Sequence, residues 1–302
     1  MTPTRQTTLL IETIPSPFNF SATVKSHGWY LLRPFVWDET ESKLSRLQQL
    51  STGTVVHLQI SADDPETTTK LEVIAEGEPA LTPEDQAEIR QITRRMLRLD
   101  EDLTEFYHHQ DQLEGWRLDL QPGGGRLLRC PTLFEDVIYT LCTTNINWAG
   151  TVRMVDRIVG KLGTPFPRKP ELIAFPTPQA IAQVGPAFLK QETGLGYRSD
   201  YVWELATAIV EGRLDLQAMT AQHRSTEEIR RDLLKLKGIG HYATATILML
   251  LGRYEYLAID SEMRSLVSEK YFEGNRPTDA QIRAIYAPWE RWQYLAYWFD
   301  FR

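Results

Sequence analysis

The sequence has little of several features that mark large protein classes. It contains two cysteines, Cys130 and Cys142, which is too few for a disulfide framework or for the full set of thiolates that holds an iron–sulfur cluster. Its apolar runs are far shorter than the roughly 20 residues of a membrane-spanning helix. The N-terminus also lacks the basic start and apolar core of a secretory signal. We therefore expect no iron–sulfur cluster, no membrane partner and no secretion.

Excess positive charge is also missing, since the net charge is −7. Residues 1–129 carry 13 Lys and Arg against 20 Asp and Glu, so the other 173 residues are neutral overall. Within them, residues 148–253 hold 14 basic against 10 acidic residues. The total charge argues against a polyanionic partner, whereas residues 148–253 can still present a basic face to one.

The chain divides by pattern into a strand-rich part and a helical part. Four short segments rich in β-branched and aromatic residues predict strands: PFNFSATV, WYLLRPFVW, TVVHLQIS and TKLEVIAEG. Residues 81–110 predict a helix that begins at Thr82 and Pro83. From Leu133 onward, helical patterns follow one another, broken by glycine and proline. We predict an α+β fold with an N-terminal α+β domain over residues 1–129 and a helical domain over residues 130–302.

The segment with most chemical content is LLKLKGIGHYATATILMLLGRYEYLAIDSEMR, residues 233–264. Gly238 and Gly240 interrupt two helical patterns, and glycine lets another backbone approach closely. The helix beginning near His241 presents N–H groups without intrahelical acceptors, which suits an anion such as a phosphate. A plain helical corner without a ligand explains the two glycines equally well.

The same segment ends on a single carboxylate, Asp260, just before another predicted helix. An isolated aspartate at this position is most often a helix N-cap. A helix N-terminus also favours the anionic carboxylate. In a cleft, such a carboxylate could stabilise an oxocarbenium-like sugar or position a water molecule.

These residues resemble the helix-hairpin-helix Gly/Pro-Asp (HhH-GPD) DNA glycosylase superfamily, and within it 3-methyladenine DNA glycosylase II and 8-oxoguanine DNA glycosylase. CPTLFEDVIYTLCTTNINWAGTVRMVDRIVGKLG looks like the helix, base-stack wedge loop and following helix of these enzymes. LGYRSDYVWELATAIVEGRLDL is similar to the GYR-x-x-Y segment of the 8-oxoguanine type. The resemblance covers roughly residues 90–265 and extends more loosely to the N-terminal strands, which look like a TBP-like antiparallel β domain.

The resemblance implies a role for several residues. Asp260 falls on the catalytic aspartate. The hairpin that holds the DNA phosphate corresponds to Gly238, Ile239 and Gly240, with Lys237 and His241 beside it. The backbone carbonyls of Leu234, Leu236 and Gly238 fall where relatives often bind a monovalent cation; no other cofactor is implied. Asn145 falls on the residue that fills the space left by the flipped base, while Tyr197 and Arg198 fall on those that contact the orphaned partner base.

One residue that differs from the bifunctional relatives determines which reaction we expect. Bifunctional relatives carry a lysine two residues after the second glycine, where this chain has Tyr242. A Schiff base needs an amine, so Tyr242 cannot form one. The sequence therefore predicts a monofunctional glycosylase that uses water. Aromatic candidates for its base pocket are Tyr242, Trp148 and, from a C-terminal aromatic group, Trp298 together with Trp289, Trp292, Tyr294 and Tyr297.

Several alternatives stay open at the level of sequence. Asn145 and the Tyr197–Arg198 pair favour an 8-oxoguanine-type enzyme without lyase activity, whereas Tyr242 favours excision of an alkylated base. A non-catalytic paralogue that only binds lesions would keep the hairpin and the wedge. We expect a monomer whose partner is double-stranded DNA with a damaged base. Such a protein would be cytoplasmic and nucleoid-associated in a bacterium, or nuclear in a eukaryote.

Overall fold

A computed structural model describes residues 5–300. Its main sheet is antiparallel, with five strands in the order β1-β5-β4-β3-β2. The strands are β1 Arg5–Ile11, β2 Phe35–Asp38, β3 Lys43–Gln49, β4 Val55–Ala62 and β5 Leu71–Gly77. A small antiparallel hairpin, β6 Pro165–Phe166 and β7 Lys169–Ile173, lies further along the chain. The expected α+β class with an antiparallel sheet is confirmed.

Helices account for most of the remaining chain. In order they are α1 Phe20–Val24, α2 Pro83–Met96, α3 Thr104–Gln112, α4 Leu133–Thr143, α5 Trp148–Leu162, α6 Pro178–Phe188, α7 Arg198–Val210, α8 Leu216–Met219, α9 Thr226–Leu233, α10 His241–Leu250, α11 Ser261–Tyr271, α12 Asp279–Tyr286 and α13 Gln293–Asp300. Within the described residues, no helix has the length and apolarity that crossing a membrane requires.

Two compact units, each built from two stretches of chain, make up the structure. The first comprises the described residues up to Asp100 together with Pro122–Gln217. The second comprises Glu101–Gln121 and the described residues from Ala218 onward. Helices α4 to α7 therefore belong with the sheet, whereas α3 belongs with α9 to α13. A single boundary after residue 129 describes a different division of the chain.

Part of the predicted secondary structure was wrong. The segment PFNFSATV, predicted as a strand, contains helix α1, which begins because the Asn19 side chain accepts a hydrogen bond from the Ala22 N–H at 2.7 Å. The helix predicted over residues 81–110 is broken after Met96, and Arg98 adopts a left-handed backbone with φ of 54°. The proline-containing segment after Gly163, which interrupts the helical patterns, forms the β6–β7 hairpin.

A buried ion pair joins the sheet to helix α4. Arg46 of β3 contacts Glu135 of α4 at 3.1 Å, with both side chains almost fully buried. Tyr139, one turn further along α4, donates to Glu135 at 2.9 Å and to the Arg33 carbonyl at 2.6 Å. Because removing one partner of a buried pair leaves an uncompensated charge, these contacts hold α4 firmly against the sheet. They thereby fix the helix that leads into the predicted wedge loop.

Candidate nucleic-acid interface and catalytic carboxylate

The glycine hairpin connects α9 to α10 in the second unit. Gly238 has φ of 82°, a left-handed conformation that favours glycine. Ile239 is 4% exposed and therefore anchors the turn in the core. Gly240 has an ordinary φ of −89°, and a Cβ built on it would meet no atom of residues 5–300 within 4 Å. Neither backbone strain nor the protein's own packing therefore requires glycine at position 240, so the open space there is free for a close partner.

Helix α10 begins without a side-chain cap on its N-terminal amides. Gly240 is the N-cap residue, and the first intrahelical bond runs from the Thr244 N–H to the Gly240 carbonyl at 2.9 Å. The earlier N–H groups, such as that of His241, have no acceptor within the helix, which is the arrangement that favours an anion. The carbonyls proposed for a cation lie in the preceding turn, where that of Leu236 already accepts the Ile239 N–H at 3.1 Å.

A hydrogen bond ties the hairpin to the loop that carries Asp260. His241, the first residue of α10, lies 2.9 Å through Nδ1 from the Tyr256 hydroxyl. The Arg230 guanidinium lies 5.4 Å from the centre of the Tyr256 ring and is paired with Glu227 through two hydrogen bonds. The loop after α10 therefore returns to the start of the same helix.

Asp260 is the N-cap of helix α11. Its Oδ1 accepts the Met263 N–H at 2.8 Å, and its side chain is partly exposed. The expectation that an aspartate at this position is a helix N-cap is therefore confirmed. The cap engages one carboxylate oxygen, and nothing in that bond prevents the second oxygen from acting on a ligand.

The charge of this carboxylate acts on the phenol of Tyr294. Tyr294 of α13 is buried, and its pKa is raised well above the usual range, first by burial and then by the nearby charges of Tyr297, Tyr242 and Asp260. Tyr242, the second residue of α10, is partly exposed. Tyr294 is therefore within electrostatic range of both Asp260 and Tyr242 in the second unit. The sequence did not single out Tyr294 from its aromatic neighbours.

The other C-terminal aromatic candidates differ in their surroundings. Trp289 and Trp292 are buried and lie 5.5 Å, centre to centre, from the ring of Phe106. Trp292 also stacks on Tyr254 at 5.4 Å. These two tryptophans belong to the core of the second unit, whereas Trp298 is partly exposed.

The predicted wedge loop lies between α4 and α5 in the first unit. Asn145 is exposed and left-handed, with φ of 48°, a conformation that asparagine tolerates better than most residues. Its side-chain amide donates to the Tyr197 hydroxyl at 3.4 Å. This bond lowers the pKa of the Tyr197 phenol. Tyr197 is 50% exposed, so the structure brings these two predicted wedge residues together on an accessible surface.

Arg198 has a different environment from its neighbour. It is 4% exposed, and its guanidinium donates to the backbone carbonyls of Leu141, Thr144 and Leu195. It also donates to the Thr144 hydroxyl at 3.2 Å. The sequence could not show this, because the main acceptors lie more than 50 positions earlier in the chain.

The Trp148 ring packs against the backbone of Gly28 in the N-terminal segment. It is the first residue of α5 and is 39% exposed. A Cβ on Gly28 would lie 2.5 Å from Cη2 and 2.7 Å from Cζ2 of its ring. Gly28 is therefore a residue that sequence reasoning missed, since its proximity to Trp148 arises only from the fold of the first unit.

No protein-family model matches the chain, but it has curated relatives. It is 24% identical over 208 residues to DNA-3-methyladenine glycosylase of Bacillus subtilis (strain 168), a match that covers 68% of each chain.

Solved structures share its fold over nearly the full length. A 3-methyladenine DNA-glycosylase from Archaeoglobus fulgidus superposes with a TM-score of 0.73 at 20% identity, covering 96% of this chain and 97% of that one. The apo form of an 8-oxoguanine glycosylase/lyase from Clostridium acetobutylicum gives 0.70 at 16% identity, covering 99% and 98%. The same enzyme with double-stranded DNA containing cytosine opposite 8-oxoguanine gives 0.61 at 15%, covering 98% and 97%.

The glycine turn between α9 and α10 has the form of a helix-hairpin-helix motif. The chain thus resembles DNA glycosylases of the HhH-GPD superfamily in sequence and shares the fold of their solved structures.

Proposed function

We propose that this protein is a monofunctional DNA glycosylase that excises a damaged base, with alkylated bases as the first candidates. The observation that carries the proposal is the link between the hairpin and Asp260. The His241–Tyr256 hydrogen bond holds a phosphate-type anion site and a capped carboxylate on one short stretch of chain. A nucleotide whose phosphate binds the α10 N-terminus would thereby present its sugar to that carboxylate.

The hairpin would hold the DNA backbone through N–H groups rather than through side chains. Gly240 leaves open space at the start of α10, where a phosphate oxygen could approach the amides closely. Lys235 and Lys237 are exposed beside the turn, and their charge would add a salt-dependent attraction. A monovalent cation on the carbonyls of Leu234, Leu236 and Gly238 would add a further positive charge to the same phosphate.

Asp260 would act on the sugar rather than on the base. As the bond between sugar and base breaks, positive charge develops on the sugar, and a fixed carboxylate stabilises it. The cap to Met263 fixes the orientation of the carboxylate in advance. A water molecule would then attack the sugar carbon, since the side chain at position 242 is a phenol and provides no amine for a covalent intermediate.

The wedge would keep the DNA open during this step. Extruding a nucleotide costs a few kcal/mol of stacking and pairing, and Asn145 and Tyr197 are exposed and paired with each other. Trp148, at the start of α5 directly after the wedge loop, offers an accessible ring on which a nucleic-acid base could stack.

The decisive test is a panel of duplexes that each carry one lesion: 3-methyladenine, 7-methylguanine, 8-oxoguanine, hypoxanthine or uracil. We expect alkali-labile abasic sites from an alkylated duplex, intact strands without alkali, and no borohydride-trapped complex. Activity on 8-oxoguanine alone would move the substrate to the oxidised class. Tight binding without any abasic product would identify a non-catalytic lesion-binding protein, and trapping by borohydride would refute the hydrolytic mechanism.

A further inference from the structure

In the first unit, the Arg198 guanidinium is surrounded by the backbone carbonyls of Leu141, Thr144 and Leu195, which together form the carbonyl socket. Its Nε donates to the Leu141 carbonyl at 3.1 Å and to the Thr144 hydroxyl at 3.2 Å. One terminal nitrogen donates to the Leu195 carbonyl at 3.5 Å, and the other donates to the Thr144 carbonyl. All three nitrogens of the guanidinium therefore donate to the protein itself.

This arrangement conflicts with direct contact to a DNA base. A base contact needs guanidinium N–H groups that reach into solvent, but the side chain is 4% exposed. Pulling it out would also remove the guanidinium from the Thr144 carbonyl at the end of α4, and a polar group that loses its partner costs more than the hydrogen bond itself contributes. The Leu141 carbonyl would keep the bond that it accepts from the Thr144 hydroxyl at 2.8 Å. The adjacent Tyr197, by contrast, is 50% exposed and available at the surface.

The socket lies directly behind the wedge. Thr144 is the C-cap of α4, and Asn145 follows it with a left-handed backbone. On the other side, the guanidinium lies 4.5 Å from the centre of the Tyr197 ring. Arg198 thus contacts the residue before Asn145 and the ring of Tyr197, and these two wedge residues are hydrogen-bonded to each other.

We propose that Arg198 is a positioning residue that holds Asn145 and Tyr197 in the geometry needed to enter the base stack, and that it does not read the orphaned base. The inference rests on the proposed function, since it assigns a role within the same DNA-opening step. Its physical basis is pre-organisation: side chains held in place before binding lose less conformational entropy when they bind.

The test measures binding to duplexes that contain a tetrahydrofuran abasic-site analogue opposite cytosine, thymine, adenine or guanine. Such a duplex has an unstacked gap and no base to excise, so the result does not depend on catalysis. Wild-type protein must first prefer these duplexes to an undamaged one, and absence of that preference would refute the proposed function rather than this inference.

For Arg198→Met we expect affinity to fall by about tenfold, by the same factor for all four opposite bases, as for the loss of one or two buried hydrogen bonds. Arg213→Met is the matched control, because Arg213 lies in the same unit and is exposed; it should bind like wild type. A loss confined to one opposite base would show that Arg198 reads that base and would overturn the inference. Unchanged binding would overturn it as well.

A double-mutant cycle separates positioning from a general loss of stability. If Arg198 acts through the wedge, Arg198→Met should change binding little in an Asn145→Ala, Tyr197→Ala background. Full additivity would overturn the inference. Should Arg198→Met fail to fold, Thr144→Val tests the same point, because it removes the hydroxyl that accepts from Arg198 and donates to the Leu141 carbonyl, and preserves side-chain shape. The variant should show a smaller loss that is again uniform across opposite bases, and base-selective or absent loss would contradict the proposal.

Discussion

Asp260 performs a structural and a proposed chemical task that two substitutions separate. Its Oδ1 caps helix α11 through the Met263 N–H at 2.8 Å. Asparagine offers the same oxygen and caps helices about as well as aspartate, so Asp260→Asn should leave the free energy of unfolding nearly unchanged. Alanine removes the cap, and Asp260→Ala should cost about 1 kcal/mol of stability, which corresponds to a fall in Tm of about 2–4 °C.

The effect on catalysis should follow the charge and not the cap. Both variants lack the carboxylate that would stabilise positive charge on the sugar, so both should lower the single-turnover excision rate by about 100-fold or more. Binding to an abasic-analogue duplex should change little in Asp260→Asn. The assays are single-turnover release of abasic product and thermal unfolding of each variant. Asp260→Asn with wild-type excision would refute the catalytic assignment, and equal Tm values for the two variants would refute the capping argument.

Three further changes test other parts of the structure. Gly28→Ala should displace the Trp148 ring, since the new Cβ would lie 2.5 Å from it. We expect altered tryptophan fluorescence and weaker binding of a lesion duplex, with a nearly unchanged Tm. An unaltered fluorescence spectrum would contradict the contact between Gly28 and Trp148. Arg46→Met should cost about 3–5 kcal/mol because it leaves buried Glu135 unpaired; the double variant with Glu135→Leu should recover much of that loss in denaturant unfolding. Tyr242→Lys should yield a borohydride-trapped complex with damaged DNA, whereas continued absence of trapping would show that position 242 does not reach the sugar.

The sequence predicted the helical elements of the site more reliably than the strands. Helix α4, helix α5 and the cap at Asp260 follow from local capping and periodicity, which short segments contain by themselves. Strand β3, KLSRLQQ, was missed because five of its seven residues are polar or charged and partner strands rather than propensity determine its pairing.

Burial could not be predicted where it depends on distant residues. The family resemblance assigned Arg198 to the orphaned base, but its side chain is buried and its acceptors belong to the end of α4. The packing contact between Trp148 and Gly28 likewise joins residues 120 positions apart in the sequence. Local sequence can therefore nominate a residue for the site without showing whether it faces the DNA or holds another residue in place.

The hydrogen bond between His241 and Tyr256 has a consequence for how this chemistry can change during evolution. It closes a ring of chain from His241 to Tyr256 that includes α10, with the proposed phosphate site at its start and Asp260 four residues beyond its end. Position 242 lies on this ring but does not form the hydrogen bond that closes it. Under the proposed mechanism, an amine at position 242 would replace water as the nucleophile and leave this hydrogen bond and the cap at Asp260 intact, so the two types of reaction would differ by one residue on the same local structure.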